Sequence, residues 1–371
     1  MSVNKTKHVR LGDYIQEYHV LNYDNSIKDV RSVSTTKEFK FTGAKVDKSE
    51  LGKYKIVPPR YISYVQTTKN EKCFACAINL SNKNFVVTSV NKVITSVDEN
   101  TLNNEYLFLI LSRNDFDRYA IFNSWGSARE VFQYNDLCNV NIFLPPIEVQ
   151  REIVDTYKSI KFLAEQNEAL IKPLSKACEA FIANCKKSYK KVELGVYIKE
   201  LDIRNTDNSI KLVKSVSVTK EFKDTNAKVN KEELSGYKIV PPNFIAYVQT
   251  TKNEKCFANA LNTTNDTYVV SQVDRVITTK DASKLDIGYL HLIFRSNEFD
   301  RYAIFNSWGS ARETFDWSEL CRVKIPLPPL EVQQSIVDLY KCLEEAKKIA
   351  SEAREQLKTI CPALVQRAAN S

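Results

Sequence analysis

Three short polar stretches of this chain gather side chains suited to recognition by hydrogen bonding. Lys37 lies in VSTTKEFK, and Thr67, Thr68, Lys69, Asn70 and Lys72 lie in QTTKNEK. Asn123, Ser124, Trp125, Ser127 and Arg129 lie in FNSWGSARE. Amides and hydroxyls both donate and accept, while ammonium and guanidinium groups neutralise phosphates. That mixture suits the groove edges and the backbone of a nucleic acid. Arg129 is the first choice for a bidentate guanine contact or a phosphate clamp. The whole set returns as Lys220, Thr250, Thr251, Lys252, Asn253, Lys255, Asn306, Ser307, Trp308, Ser310 and Arg312. Trp125 and Trp308 are open to two readings, an exposed contact or a core ring that shapes the loop. Thr35 is replaced by Val218, so it carries no specificity common to both sets.

The recurrence extends well beyond these residues. FDRYAIFNSWGSARE spans residues 116–130 and again 299–313, and reads as a polar loop between apolar segments. With a constant offset of 183 and no gap, 89 of the 142 positions from Val9 to Gln150 are identical. Solenoid units run to about 50 residues at most, so each copy here is a domain. Surface loops are normally the first parts to drift. Here QTTKNEKCFA and the fifteen-residue stretch are unchanged, while Asp98–Glu105 and Asp281–Gly288 have diverged. Two domains that keep the same polar groups should bind the same thing twice.

Catalytic constellations are hard to find. The three histidines, His8, His19 and His291, align with Lys191, Asp202 and Phe108, so neither copy shares one with the other. CFAC at Cys73–Cys76 has the spacing of half a zinc site, yet the second copy reads CFAN, with Asn259 in place of Cys76. Cys73/Cys256 and Cys138/Cys321 recur and read as small buried residues. Eight glycines supply neither a dinucleotide-binding fingerprint nor a P-loop. PPNF at Pro241 has Val240 where an adenine methyltransferase motif requires Asp or Asn. Asp115 and Asp117, mirrored by Glu298 and Asp300, read as a solvated helix end. Among 371 residues, 43% are hydrophobic and 26% charged, and the net charge of +8 leans towards polyanionic partners. No apolar run reaches the roughly 18 residues that span a bilayer. MSVNKTKHVRLGDY lacks a secretory apolar region, and nine cysteines without framework spacing suggest reduced thiols in a cytoplasm.

The elements that position the loops form a mixed α/β (α+β) domain of about 140 residues in each copy. YISYVQ and FVVTSV alternate as strands, and EYLFLILSRNDF, from Glu105, reads as a buried helix or a helix start. After each LPP the pattern changes to apolar steps of four and three: Val149, Ile153, Thr156, Ile160, Leu163, Asn167, Leu170, Leu174, Ala177, Phe181. The second series is Val332, Ile336, Leu339, Leu343, Ala346, Ala350, Ala353, Leu357, Ile360, Leu364. Such seams predict two long helices pairing as an antiparallel coiled coil, each roughly 40 residues and about 60 Å. The pairing residues are Ile153, Ile160, Leu163, Leu170 and Leu174 against Ile336, Leu339, Leu343, Leu357 and Ile360. Pro173 and Pro362 should kink or break these helices. The expected order is a recognition domain over 1–146, a long helix over 147–188, a second domain over 189–329 and a second helix over 330–371. An antiparallel return would give a pseudo-two-fold with equal heads, which matches an inverted repeat in duplex DNA.

YKIVPPRYISYVQ, FVVTSV, EYLFLILSRNDF, SWGSAR and LPPIEVQREIV together resemble the target recognition domain and conserved helix of type I restriction–modification specificity subunits. LPP-x-EVQ-x-x-IV is the most specific element, and the resemblance covers nearly the whole chain, in both copies. It implies a non-catalytic subunit that selects double-stranded DNA for methyltransferase subunits, two of them, docked on the helices. It also implies that S-adenosylmethionine, ATP and magnesium belong to partner subunits, that a restriction/translocase subunit can join, and that the chain itself needs no cofactor. Family members usually carry two unlike recognition domains. The near-identity here favours a bipartite palindrome, with N6-methyladenine in each half-site as the implied product. A stand-alone repressor or decoy, or a protein-binding scaffold, would use the same duplicated fold.

Overall fold

The computed structural model describes residues 6–42, 46–67, 73–126, 130–225, 229–230, 232–250, 256–309 and 313–370, those from 360 onward as backbone only. Contacts divide the chain into two units, 1–166 with 349–371, and 167–348.

In the first unit the strands are β1 (Lys7–Arg10), β2 (Ile15–Glu17), β3 (Arg31–Val33), β4 (Phe39–Phe41), β5 (Lys55–Val57), β6 (Ile62–Tyr64), β7 (Cys76–Ile78), β8 (Phe85–Val87) and β9 (Lys92–Ser96). Helices α1 (Asn104–Leu111), α2 (Asn114–Phe122) and α3 (Tyr134–Cys138) follow, then β10 (Asn141–Leu144) and the long α4 (Ile147–Ser188). A four-stranded sheet runs β2-β9-β6-β7, beside pairs β1-β10, β3-β4 and β5-β8. These ladders are all antiparallel, so the domain is α+β. In the central strand Ile62 faces Ile78 on one side and Ile94 on the other. These join Tyr64, Phe74, Tyr106 and Leu107 in the main core.

The apolar segment expected to be a helix or a helix start from Glu105 is two helices. Asn103 caps α1, its side chain accepting from the Glu105 and Tyr106 amides at 2.8 and 3.1 Å. Every residue of α1 is buried. Ser112 then closes it by donating to the Phe108 carbonyl, and Arg113 in extended conformation (ψ 147°) starts α2. FDRYAIF is therefore helical, and Asn123–Gly126 follow outside the helix. The sequence obscured this because the apolar residues of α2 do not lie along one face, and only Phe116 and Ala120 are buried.

The second unit repeats the plan with β11 (Lys191–Glu193), β12 (Ile198–Glu200), β13 (Lys214–Val216), β14 (Phe222–Asp224), β15 (Lys238–Val240), β16 (Ile245–Tyr247), β17 (Asn259–Leu261), β18 (Tyr268–Val270) and β19 (Arg275–Thr279). It continues through α5 (Ile287–Phe294), α6 (Asn297–Phe305), α7 (Trp317–Arg322), β20 (Lys324–Pro326) and α8 (Leu330–Asn370). Its four-stranded sheet has the corresponding order, β12-β19-β16-β17.

The LPP-x-EVQ motif gains a physical meaning. Gln150 is fully buried one turn into α4. Its Nε2 donates to the Thr101 and Pro145 carbonyls at 2.9 and 2.8 Å, and its Oε1 accepts from the Asn103 amide at 2.9 Å. Gln333 makes the same three bonds to Lys284, Pro328 and Asp286. All partners are backbone groups. The glutamine therefore makes no demand on the side chains of the segment it clasps, and that segment is one where the two copies have drifted apart.

In the first unit Tyr157 and Lys161 of α4 line one cavity with Arg354, Leu357 and Lys358 of α8. In the second unit Cys178 of α4 lies beside Cys342 and Lys347 of α8. Rising numbers in one helix meet falling numbers in the other, so the pair packs antiparallel. On α8 the expected seam holds: Ile336, Leu343, Ala346, Ala350 and Ala353 are buried, and Leu339 and Leu357 half-buried. The Ile360 side chain lies outside the described residues. On α4, Ile153 is buried and Ile160 and Leu174 are half-buried. Leu163 and Leu170 are instead 45% and 50% exposed, with Ala164 and Ile171 turned inwards. The alternate position is thus displaced by one residue, to Tyr157, Ala164, Ile171 and Cys178. A straight helix drifts by ~20° per heptad from a strict seven-residue repeat, and small residues permit closer approach. The helical assignment runs unbroken through Pro173 and Pro362. Among the described residues no helix is long and apolar enough to cross a membrane.

A buried carboxyl in the second unit has no counterpart in the first. Asp274 is 6% exposed where the first unit has Asn91, and burial pushes its carboxyl up to about 7 despite nearby Lys238. An unfolded aspartate titrates near 3.9. The folded protein therefore holds an extra proton between those values, and stability falls as pH rises from about 4 to about 7, then levels. Asp274→Asn should flatten this slope and raise stability at pH 8 by on the order of 2 kcal/mol. Urea midpoints at pH 5 and pH 8 measure it, and equal slopes for wild type and variant would refute the assignment.

Candidate nucleic-acid interface

In each unit an aromatic cluster forms the floor of the polar stretches. Phe74 meets Phe116 edge-on at 5.1 Å and Phe132 at 5.7 Å, and Tyr119 meets Phe132 at 6.3 Å. Phe257, Phe299, Tyr302 and Phe315 repeat the arrangement. Above this floor the chain is tied at three points. The Phe132 amide donates to the Gln66 carbonyl at 2.8 Å, and Thr67 bridges Val131. Trp125 and Val131 exchange backbone hydrogen bonds of 3.2 and 3.0 Å, making a short arm in which Gly126 takes φ 140°. Only glycine enters that region without strain. Gln66–Thr67 and Trp125–Gly126 are therefore tied to one base.

The third tie is ionic. Lys37 sits at the tip of the β3–β4 hairpin with φ 62°, a left-handed conformation unusual for lysine. Its Nζ lies 2.5 Å from Asp117 Oδ1 and 2.5 Å from the Phe74 carbonyl, with both charged side chains 15% exposed. Asp117 Oδ1 also accepts from the Phe74 amide at 2.8 Å. Lys220, φ 63°, meets Asp300 at 2.7 Å and the Phe294 carbonyl at 2.8 Å. Burial pushes the Lys220 ammonium below its ordinary value, and Asp300 opposes that shift. Asp117 and Asp300 are thus half-buried anchors, a correction to their reading as a solvated helix end. Their partners lie 80 positions away in the chain, so sequence spacing gave no sign of the pair.

The remaining expected contacts divide. Ser124 and Ser307 are buried and donate to the Ala120 and Ala303 carbonyls at 2.6 Å. Asn123 and Asn306 are half-buried and donate to the Tyr119 and Tyr302 carbonyls at 2.8 Å. These four satisfy the last carbonyls of α2 and α6, as helix C-termini require. Thr67 and Thr250 are half-buried in the bridges to Val131 and Thr314. Trp125 and Trp308 face outwards, 74% and 69% exposed, which rules out the core reading. Thr68, Lys69, Asn70, Lys72, Ser127 and Arg129, with Thr251, Lys252, Asn253, Lys255, Ser310 and Arg312, lie outside the described residues. Phe122 and Phe305, 83% and 82% exposed, were not among the expected contacts, which took polar residues and tryptophan from the repeat. Their identity in both copies was the available signal. Cys76 is fully buried with its sulfur 3.7 Å from the Leu111 carbonyl, and burial pushes its thiol up to about 12.

A family model for the type I restriction modification DNA specificity domain matches residues 26–174 and again 174–359. The chain belongs to this family. Its two matches divide within α4, so each takes one recognition domain with helix attached. The fold is that of a solved S subunit of a type I restriction–modification system from M. genitalium, with TM-score 0.59 at 10% identity, covering 99% of this chain and 97% of that one. An HsdS subunit from Thermoanaerobacter tengcongensis is 17% identical over 98% and 96% of the two chains, with TM-score 0.40. No curated protein matches the sequence. The family is generally non-catalytic.

Removing one member of a buried ion pair strands the other charge and costs about 3 kcal/mol. Lys37→Met should therefore lower the stability of the first unit by roughly 2–4 kcal/mol, read as a shift in the denaturation curve. A change under about 0.5 kcal/mol, the scatter of an ordinary surface substitution, would show that the pair anchors nothing.

Proposed function

We propose that this chain is the non-catalytic specificity subunit of a cytoplasmic type I restriction–modification complex, reading a bipartite palindrome. Each unit would read one half-site. Two adenine methyltransferase subunits would be positioned over the half-sites, and a restriction/translocase subunit could join them. In this reading S-adenosylmethionine, ATP and magnesium are brought by the partners, and the chain itself holds no cofactor.

One observation carries the proposal. The polar stretches Gln66–Ala75 and Phe116–Glu130 recur without a single change, on the same floor and with the same exposure of the outward rings. Surfaces of one chemistry select one sequence of base edges. Duplex DNA presents the same half-site twice when the two are inverted, as dimeric repressors exploit. The family's role in DNA specificity and the net charge of +8 support duplex DNA as the ligand. A protein-binding scaffold or a lone repressor has no comparable observation in its favour.

Co-expression with adenine methyltransferase subunits, followed by methylome sequencing, tests the reading. The expected motif is two inverted, identical half-sites around a fixed spacer, each carrying N6-methyladenine. Two unrelated half-sites would contradict it, as would methylation independent of this chain.

A further inference from the structure

Two rings in each unit do nothing for the fold that holds them. Phe122 and Trp125 are 83% and 74% exposed, and Phe305 and Trp308 are 82% and 69% exposed. Exposing large aromatics wastes the burial energy they could supply, and Phe and Trp are rarely left so bare without a partner. The same two rings are bare in both copies.

The rings also stand on rigid supports. Phe122 ends α2, whose last carbonyls are satisfied by Asn123 and Ser124. Trp125 follows at once, its backbone bonded twice to Val131. Tyr119, 41% exposed, leads back from the patch to the aromatic floor. A rigid, pre-positioned ring loses little entropy on contact, which favours insertion into a defined gap. Arg118 and Arg301 are exposed on the same helices. Aromatic rings beside cations and hydrogen-bonding groups suit a nucleic acid better than an apolar protein groove.

We propose that Phe122 and Trp125, and equally Phe305 and Trp308, form an apolar wedge that enters the base stack of the bound duplex at one step in each half-site. The proposal rests on the function given above. Each ring would separate a pair of neighbouring bases, and the unstacking would be offset by ring–base contact. Steps that unstack most easily, such as pyrimidine–purine steps, would then be favoured at positions read by no hydrogen bond. No bond is made or broken.

The test uses the full chain with its methyltransferase subunits and duplexes carrying the methylated site, with 2-aminopurine placed at each step in turn. Wild type should raise the fluorescence at one step per half-site. Phe122→Ala with Phe305→Ala should abolish that rise and weaken binding by about 10-fold or more, the scale of a lost stacking contact. The slope of affinity against salt should stay unchanged, because no phosphate contact is lost. Phe122→Tyr with Phe305→Tyr should restore the signal, and Trp125→Ala with Trp308→Ala should reduce it. The thermal midpoint of each variant should stay at the wild-type value, since the rings are already bare. If wild type binds but no step brightens, or the alanine variant keeps its affinity and signal, the wedge is refuted and the function stands. If the alanine variant fails to assemble with the methyltransferase subunits, the rings serve a protein partner and the wedge is refuted. If no duplex binds to the wild-type complex, both readings fall.

Discussion

A lysine buried against an aspartate organises each recognition surface. Lys37 draws together the tip of one hairpin, the first turn of α2 and the backbone at Phe74, where the first loop returns to the core. The charge is held where water is scarce, so the pair tolerates little displacement. It also stabilises a left-handed lysine that would otherwise relax. Lys220 and Asp300 repeat the device in a second sequence context. Under the proposed function such fixity matters, because donors that move by about 1 Å no longer discriminate between bases.

The helices impose a complementary constraint. Gln150 and Gln333 join each long helix to its domain through backbone groups alone. The domain is thereby set at a fixed angle on its helix while the clasped segment varies. In the first unit that freedom was filled by a charged network, in which Glu105, buried at the start of α1, meets Lys158 of α4. In the second unit Gly288 stands in its place, and a Cβ there would press on Val337 at 3.1 Å. The copies therefore differ where the domain meets its helix, and also within the loops at 80–84 and 88–91, while 66–75 and 116–130 stay identical.

Much of this was legible from residues alone. The duplication, the strands within YISYVQ and FVVTSV, the long helices and the α8 seam all follow from periodicity. The α4 seam was half-legible: positions spaced by seven from Ile153 were right, and the intervening ones fell one residue short. A heptad count cannot tell which of two adjacent residues faces inwards when one is small, as with Leu163 and Ala164. The loop residues were harder. Lys37, Asn123 and Ser124 are polar types that equally serve solvent, ligand or their own backbone, and the choice depends on partners distant in sequence or on cap geometry. Trp125 could not be placed inside or outside because an irregular segment has no period to consult. Phe122 was hidden for a related reason: an apolar residue on a helix end invites the assumption that it is buried.

The central claim is that the two units carry one recognition chemistry despite 53 differences between the aligned copies, since 142 positions share 89 identities. Replacing residues 192–333 with residues 9–150, so that both units carry the first copy, tests it most directly. The chimaera, assembled with the same methyltransferase subunits, should methylate the same motif as the natural chain. A new motif, altered in one half only, would show that the differing positions, and not the shared loops on their buried ion pairs, choose the bases.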